Sequence, residues 1–175
     1  MISKIKNLIK ILARVFGYKI TRISEELKVF KEPMDFDYEF NNIYETCKNY
    51  TENSKERMYA LYKAIEYIIN SKIGGDFVEC GVDKGGNPMI MAMTLQKMKA
   101  TDRKIYLYDT FAGMTEPEDV DKAISDSSKA WDTWKEHEKK KHNEWCFSPL
   151  SEVKRNVFST KYPKKNFTFV KGKVE

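Results

Sequence analysis

Apolar residues open the chain at steps of three and four: Ile2, Ile5, Leu8, Ile9, Leu12, Val15 and Phe16 lie on one face of a helix. Lys6, Lys10 and Arg14 interrupt every apolar stretch well short of the ~20 residues a membrane span needs, so this is neither a span nor a signal peptide. The segment "KEPMDFDYEFNNIYETCKNYTENS" is polar, aromatic-rich and without a clear period, and reads as a linker or embracing loop. Ser54, Arg57 and the apolar positions Met58, Leu61, Tyr62, Ile65, Tyr67 and Ile68 predict a helix to about residue 71, stopped by Gly74-Gly75. A short buried strand, "DFVECG", comes next. It is followed by a helix in "NPMIMAMTLQKMK", with Asn87 as its cap and Pro88 at its first position, and a second strand in "KIYLYD". "SPLSEVKRNVFSTKY" predicts another helix and "NFTFVKGKV" a third strand. Strand, helix, strand, helix, strand is the signature of a parallel α/β sheet with covering helices. The expected organisation is a basic amphipathic helix over 1–32, a linker or embracing loop over 33–54, and an α/β domain over 55–175.

Charge changes this picture only at one end. Of 31 basic residues, Lys4, Lys6, Lys10, Arg14, Lys19 and Arg22 fall in the first 22 positions with no acid among them, so the net +5 becomes −1 over the rest. A basic N-terminus without a basic folded face argues against nucleic acid as a partner. Two readings of residues 1–22 stand: a helix packing on its own domain or on a second copy in a homo-oligomer, and a helix lying peripherally on an anionic membrane. Cys47, Cys80 and Cys146 form no CxxC pair, so neither a zinc site nor a disulfide framework is indicated and a cytoplasmic setting is the default.

The candidate chemistry sits in "GGDFVECGVDKGGNP". In an open parallel sheet, ligands bind at the carboxyl ends of the strands, and this turn follows the first one. A dinucleotide fingerprint starting at Gly81 would need glycine where Asp83 stands. A P-loop would need Lys-Ser/Thr where Asn87-Pro88 stand. Glu79 and Asp83 would also repel a pyrophosphate. A ligand with an ammonium and a sugar edge fits better: Glu79 accepts from the amino group, Gly81 and Gly85 let backbone approach, and Asp109, thirty residues on, suits a pair of ribose hydroxyls. S-adenosylmethionine (SAM) has both features.

The stretches "RMYALYKAIEYIINSKIGGDFVECGVDKGG", "IYLYDTFAGM", "PLSEVKRNV" and "FTFVKGKVE" together resemble the macrocin O-methyltransferase (TylF/MycF) family of class I SAM-dependent methyltransferases. The resemblance implies a Rossmann-like sheet truncated after its third strand, with an N-terminal helical extension. It implies a cofactor site made by Glu79, Cys80, Gly81, Gly85, Asp109, Thr110 and Phe111, with Thr110 and Phe111 lining a wall. The acceptor would be a hydroxyl of a sugar, glycosylated natural product or polysaccharide precursor. Mg²⁺ is implied too, with ligands beyond Glu175, so the 175-residue chain is expected to bind SAM weakly without methylating. Asp83-Lys84 departs from the Trp-Arg pair common in relatives, and Lys173 stands where many such enzymes place an acid. The rival from another class is a non-catalytic membrane-surface or protein-interaction module working through the basic helix.

Other residues tempt less. His137 and His142 in "HEKKKH" are five apart rather than the four of a zinc-binding helix, and read as a solvated helix face. Met89, Met91, Met93 and Met98 read as core filler, and Cys80 as a packed side chain. Residues 115–148, with three tryptophans, read equally as a lid or as a surface insertion.

Overall fold

The computed structural model describes residues 36–118, 120–121 and 130–173. The chain divides into two units, Met1–Phe36 and Asp37–Glu175, and the sheet with its helices belongs to the second. The basic helix expected over 1–32 lies outside the described residues. No described helix is long and apolar enough to cross a membrane.

Three parallel strands, β1 (Phe77–Cys80), β2 (Ile105–Asp109) and β3 (Phe167–Lys171), form one open sheet in the order β1-β2-β3. This is the parallel α/β arrangement the alternation predicts, and it fits the Rossmann-like class the resemblance implies. Register puts Phe77, Ile105 and Phe167 in one row and Glu79, Leu107 and Phe169 in the next, all on one face. Ile105 and Leu107 are fully buried there. Phe158 packs its ring on Phe167 and Phe169 from the helix above. The other face is more open. Val78 is 59% exposed and Cys80 is exposed, so the expectations of a buried first strand and a packed Cys80 are corrected. Side chains alternate along a strand, and only the Phe77/Glu79 side of β1 meets the core.

Four helices accompany the sheet: α1 (Tyr38–Cys47), α2 (Lys55–Asn70), α3 (Gly86–Lys97) and α5 (Leu150–Ser159), with the short α4 (Ala130–Glu136) lying between β2 and α5 in sequence. α3 contacts α1, α2, α5 and β2, and buries Met89, Ile90, Met91, Ala92, Thr94 and Leu95. Such a run of buried residues marks a helix packed on most sides; Met89 and Met91 serve as buried filler as expected, while Met93 and Met98 are half-buried.

The loop expected over 33–54 is corrected: residues 38–47 are helical and Lys48–Tyr50 form a 3₁₀ turn. α1 buries Phe40, Ile43 and Cys47, an i, i+3, i+7 stripe hidden among polar neighbours. Phe40 lies 4.8 Å from the Tyr59 ring and 5.4 Å from that of Tyr62. Burial pushes the Cys47 thiol up to about 12, which keeps it an inert apolar filler. Lys97 ties the three helices together. Its Nζ lies 2.6 Å from Glu39 on α1 and 2.7 Å from Glu66 on α2, and it donates to the Tyr62 hydroxyl. Burial opposes the charge on Glu66, but hydrogen bonds from Lys63, Lys97 and Tyr62 outweigh it and hold the carboxyl down at about 2.

The start of α3 also differs from expectation. Gly85, at φ 96°, precedes the helix, and Asn87 already lies inside it, with no capping side chain. Its amide is drawn away to Glu79, and Pro88 falls in the first turn, where its missing N–H costs nothing. At Gly86 the backbone runs against Tyr50 and Thr51: an added Cβ would stand 2.7 Å from the Tyr50 carbonyl oxygen and the Thr51 Cβ. Gly86→Ala is therefore expected to destabilise the chain by about 2–4 kcal/mol. Gly74→Ala, which meets nothing within 4 Å, should change stability little. Urea midpoints of the two variants check this, and equal midpoints would contradict the docking of residues 48–51 on α3.

Candidate functional site

β1, β2 and β3 all point their carboxyl ends at one place, and the loops leaving them line a cavity of about 360 Å³. Gly81 and Asp83 come from the β1 loop, Asp109, Thr110 and Gly113 from the β2 loop, Gly172 and Lys173 from the β3 end, and Cys146 from the insertion. That size suits a small molecule.

Asp109 builds the floor. Its Oδ2 accepts the Val82 N–H at 2.7 Å and its Oδ1 accepts the Phe111 N–H at 2.7 Å. One carboxylate thus clamps the β1 loop to the β2 loop. The Gly81 N–H donates to the Tyr108 carbonyl and the Gly172 N–H to that of Asp109, which fixes the other strand ends. Each carboxylate oxygen has two lone pairs, so Asp109 can still accept one further donor per oxygen from the cavity.

The β1 loop turns sharply, with Gly81, Asp83 and Gly85 all at positive φ. A Cβ on Gly81 would meet nothing, so backbone is open to the cavity there. Gly85 serves another purpose: a Cβ would come within 3.1 Å of Val157, so its absence lets the turn settle against α5. Glu79 points from the end of β1 toward a neighbouring cavity also lined by Arg57, Asp83 and Asn87. Its Oε1 accepts the Asn87 amide at 2.8 Å, and Asn87 in turn accepts from Asn53 at 3.1 Å. Burial pushes the Glu79 carboxyl up to about 7, against the smaller opposing pull of the Asn87 bond.

The insertion returns to the site. The Asn143 N–H donates to the Ala112 carbonyl, its amide donates to the Trp134 carbonyl, and the Trp134 indole donates to Met114. At Gly113 the Asn143 backbone passes so close that no Cβ could be accommodated. A second cavity of about 500 Å³ opens here, lined by Trp134, His142, Asn143 and Lys171, and it shares Thr110, Gly113 and Gly172 with the first. The solvated helix expected over "HEKKKH" is corrected. α4 ends at Glu136, Glu138 and Asn143 form an antiparallel bridge, and the His142 ring stacks on Phe147 at 4.1 Å.

Of the residues singled out from sequence, Gly81, Asp109 and Thr110 line the first cavity and Glu79 the adjoining one. Cys80 lies on the open face of the sheet, away from both, because it alternates with Glu79. Phe111 is buried with its ring 6.4 Å from Phe169 and contributes its backbone N–H rather than a wall. Arg57, Asp83, Asn87 and Cys146 also line these cavities, and sequence reading gave none of them a place in the site. Among the described residues, no group of three or more His, Cys, Asp or Glu side chains is placed to hold a metal ion. No chemical step is assigned to Mg²⁺.

The glycine loop, the strand-end acid and the elements between them match a known pattern over nearly the whole chain: the family model of the macrocin O-methyltransferases (TylF) covers residues 16–172. The chain belongs to the TylF macrocin O-methyltransferase family. A relative, the 8-demethyl-8-(2,3-dimethoxy-alpha-L-rhamnosyl)-tetracenomycin-C 4'-O-methyltransferase of Streptomyces olivaceus, is 30% identical over 101 residues, 58% of this chain and 35% of its own length. The structure of the O-methyltransferase NovP superposes with a TM-score of 0.55 at 22% identity, covering 70% of this chain and 47% of NovP. That likeness shows the fold. This TylF chain thus spans about half or less of the length of the relatives it matches.

The raised Glu79 carboxyl has a consequence for stability. The folded state holds a proton that the unfolded chain releases near 4.5, so the group lowers stability as pH rises from about 4.5 to about 7. Glu79→Gln keeps the acceptor for Asn87 and removes the titration. The variant is expected to melt close to wild type near pH 4.5 and to gain on it up to pH 8, by no more than about 3 kcal/mol. Thermal melts across that range check this, and a gap independent of pH would contradict it.

Proposed function

We propose that the chain is the cofactor-binding part of a SAM-dependent O-methyltransferase acting on a hydroxyl of a sugar, in a glycosylated natural product or polysaccharide precursor. The observation that carries this is the Asp109 clamp: a carboxylate at the end of β2 with free lone pairs facing a cavity, beside a glycine whose backbone is open to the ligand. Family membership supports the reaction class, and the tetracenomycin rhamnoside named in the relative's description supports a glycosidic acceptor.

In this reading Asp109 accepts from the two ribose hydroxyls, Gly81 lets the chain of the cofactor pass close to backbone, and Thr110 borders the route toward the second cavity. Glu79 accepts from the cofactor's ammonium, and an ammonium there returns the carboxyl to its charged form. SAM supplies a methyl group activated on a sulfonium. The chain's contribution is positioning, since holding the two reactants in line accounts for a large part of such a barrier. The Trp134, Asn143 and Lys171 cavity gives an acceptor sugar an apolar ring face and hydrogen-bonding groups next to the cofactor cavity.

Calorimetric titration with S-adenosylhomocysteine tests the proposal. Binding is expected for the wild-type chain, and Asp109→Ala should lower affinity at least about a hundredfold. It removes charged acceptors and releases the Val82 and Phe111 N–H groups as well. Asp102→Ala, in an exposed turn away from the cavity, is expected to bind as wild type does. Absence of binding, or equal losses in both variants, would refute the reading.

A further inference from the structure

At the amino end of the sheet, opposite the cavities, three turns lead into the strands: residues 71–76 before β1, 98–104 before β2 and 160–166 before β3. They are bonded to one another. Arg103 donates to the carbonyls of Ile73, at 2.7 Å, and Gly75, and the Lys104 N–H donates to Asp76 at 2.9 Å. The Tyr162 hydroxyl donates to the Arg103 carbonyl at 2.6 Å and the Asn166 amide to that of Thr101 at 2.7 Å. The joined surface carries six lysines and Arg103 against Asp76 and Asp102, a net +5. Lys72, Lys99, Lys104, Lys161, Lys164 and Lys165 are all exposed, and none forms an ion pair with a described residue. The expectation that the folded part has no basic face is therefore corrected. A net −1 over residues 23–175 averages over cations that folding gathers from three distant turns.

Three of the lysines occupy one structural position. α2, α3 and α5 each end in a cap residue followed by a lysine with left-handed backbone: Lys72 at φ 55°, Lys99 at φ 58° and Lys161 at φ 64°. Their N–H groups reach back to the carbonyls of Ile69, Gln96 and Phe158 in the last turns. Glycine is the usual residue there, because a Cβ is strained. A lysine gains from the helix dipole, but that gain is open to any position of the last turn without the strain. What this position adds is a cation set beyond the helix, on the shared surface. The three helix ends bring about half a negative charge each, which offsets less than two of the five positive ones.

We infer that this surface docks on an anionic lipid layer. Ile73, 44% exposed beside Lys72, adds an apolar contact that suits the boundary of headgroups and acyl chains and would gain nothing against a nucleic-acid backbone. Residues 1–22 repeat the combination in sequence, with six cations, no acid and apolar positions at helical steps, and two weak lipid signals on one chain hold far better than either alone. Docking by the amino end leaves the cavities at the carboxyl ends open. The inference is independent of the SAM reading.

Co-sedimentation of the full 175-residue chain with vesicles tests it, one set of pure phosphatidylcholine and one with about a third phosphatidylglycerol. Binding is expected only to the second, and it should fall as salt is raised. Combined Lys72→Gly, Lys99→Gly and Lys161→Gly should weaken it at least about tenfold. Glycine suits all three backbone positions, so this variant is expected to melt close to wild type. Combined Lys135→Gln, Lys140→Gln and Lys141→Gln removes the same charge from the insertion and should change binding less than about twofold. The inference is overturned if wild type ignores the anionic vesicles, if both variants lose binding equally, or if the glycine variant binds as wild type does. Binding of a DNA duplex that the glycine variant loses, with vesicle binding unaffected, would overturn it in favour of nucleic acid.

Discussion

The carboxylate of Asp109, accepting one backbone N–H from each of two loops, is the constraint on which the site depends. β1 and β2 would come to the same edge without it, because sheet pairing brings Gly81 beside Tyr108. Their following loops would be free to splay. Charge-assisted bonds at 2.7 Å hold Val82 and Phe111 instead, so the Gly81 turn and the Thr110–Gly113 turn share one anchor. The insertion then builds on that anchor, as Asn143 bonds the Ala112 carbonyl and passes directly over Gly113. The sheet supplies position, the acid supplies rigidity, and the insertion supplies a wall.

The same loop region is unfavourable for the fold taken alone. Glu79 is desolvated enough to raise its carboxyl to about 7, Asp83 has an orphaned oxygen, and three residues of one short turn sit at positive φ. Such features persist where surrounding structure over-determines them, and they concentrate at functional sites. Here the support comes from behind: α3 buries eight of its twelve residues, and Lys97 fastens it to α1 and α2 through Glu39, Glu66 and Tyr62. The strained loop rests on the best-packed helix of the unit.

Much of this was legible in the sequence, for identifiable reasons. Strands with short apolar runs bounded by glycines, and helices with a three-and-four period, announce themselves, and the parallel order follows from their alternation. Asp109 and Gly81 were legible because a strand end fixes where an acid or a glycine points. Cys80 was not, since a neighbour in sequence is an opposite face in a strand. Gly85 and Phe111 were placed in the ligand site because a loop's interior side cannot be read from residue types. The structure gives them to α5 packing and to the core. α1 was hidden because its Phe40, Ile43, Cys47 stripe is only three residues wide among polar and aromatic neighbours. Arg57 and Cys146 were out of reach, because which side chains of a distant helix or insertion come to line a cavity is a property of the folded chain.

The central claim is that one clamped pair of loops forms a cofactor site, and backbone amide exchange, resolved by residue with and without S-adenosylhomocysteine, tests it most directly. The Val82 and Phe111 amides are expected to exchange slowly in the free chain, because both are held by Asp109, and more slowly still with ligand, together with Gly81 and Thr110. Exchange of Val82 and Phe111 at the rate of open loop amides, or ligand protection confined to regions away from these residues, would contradict the account.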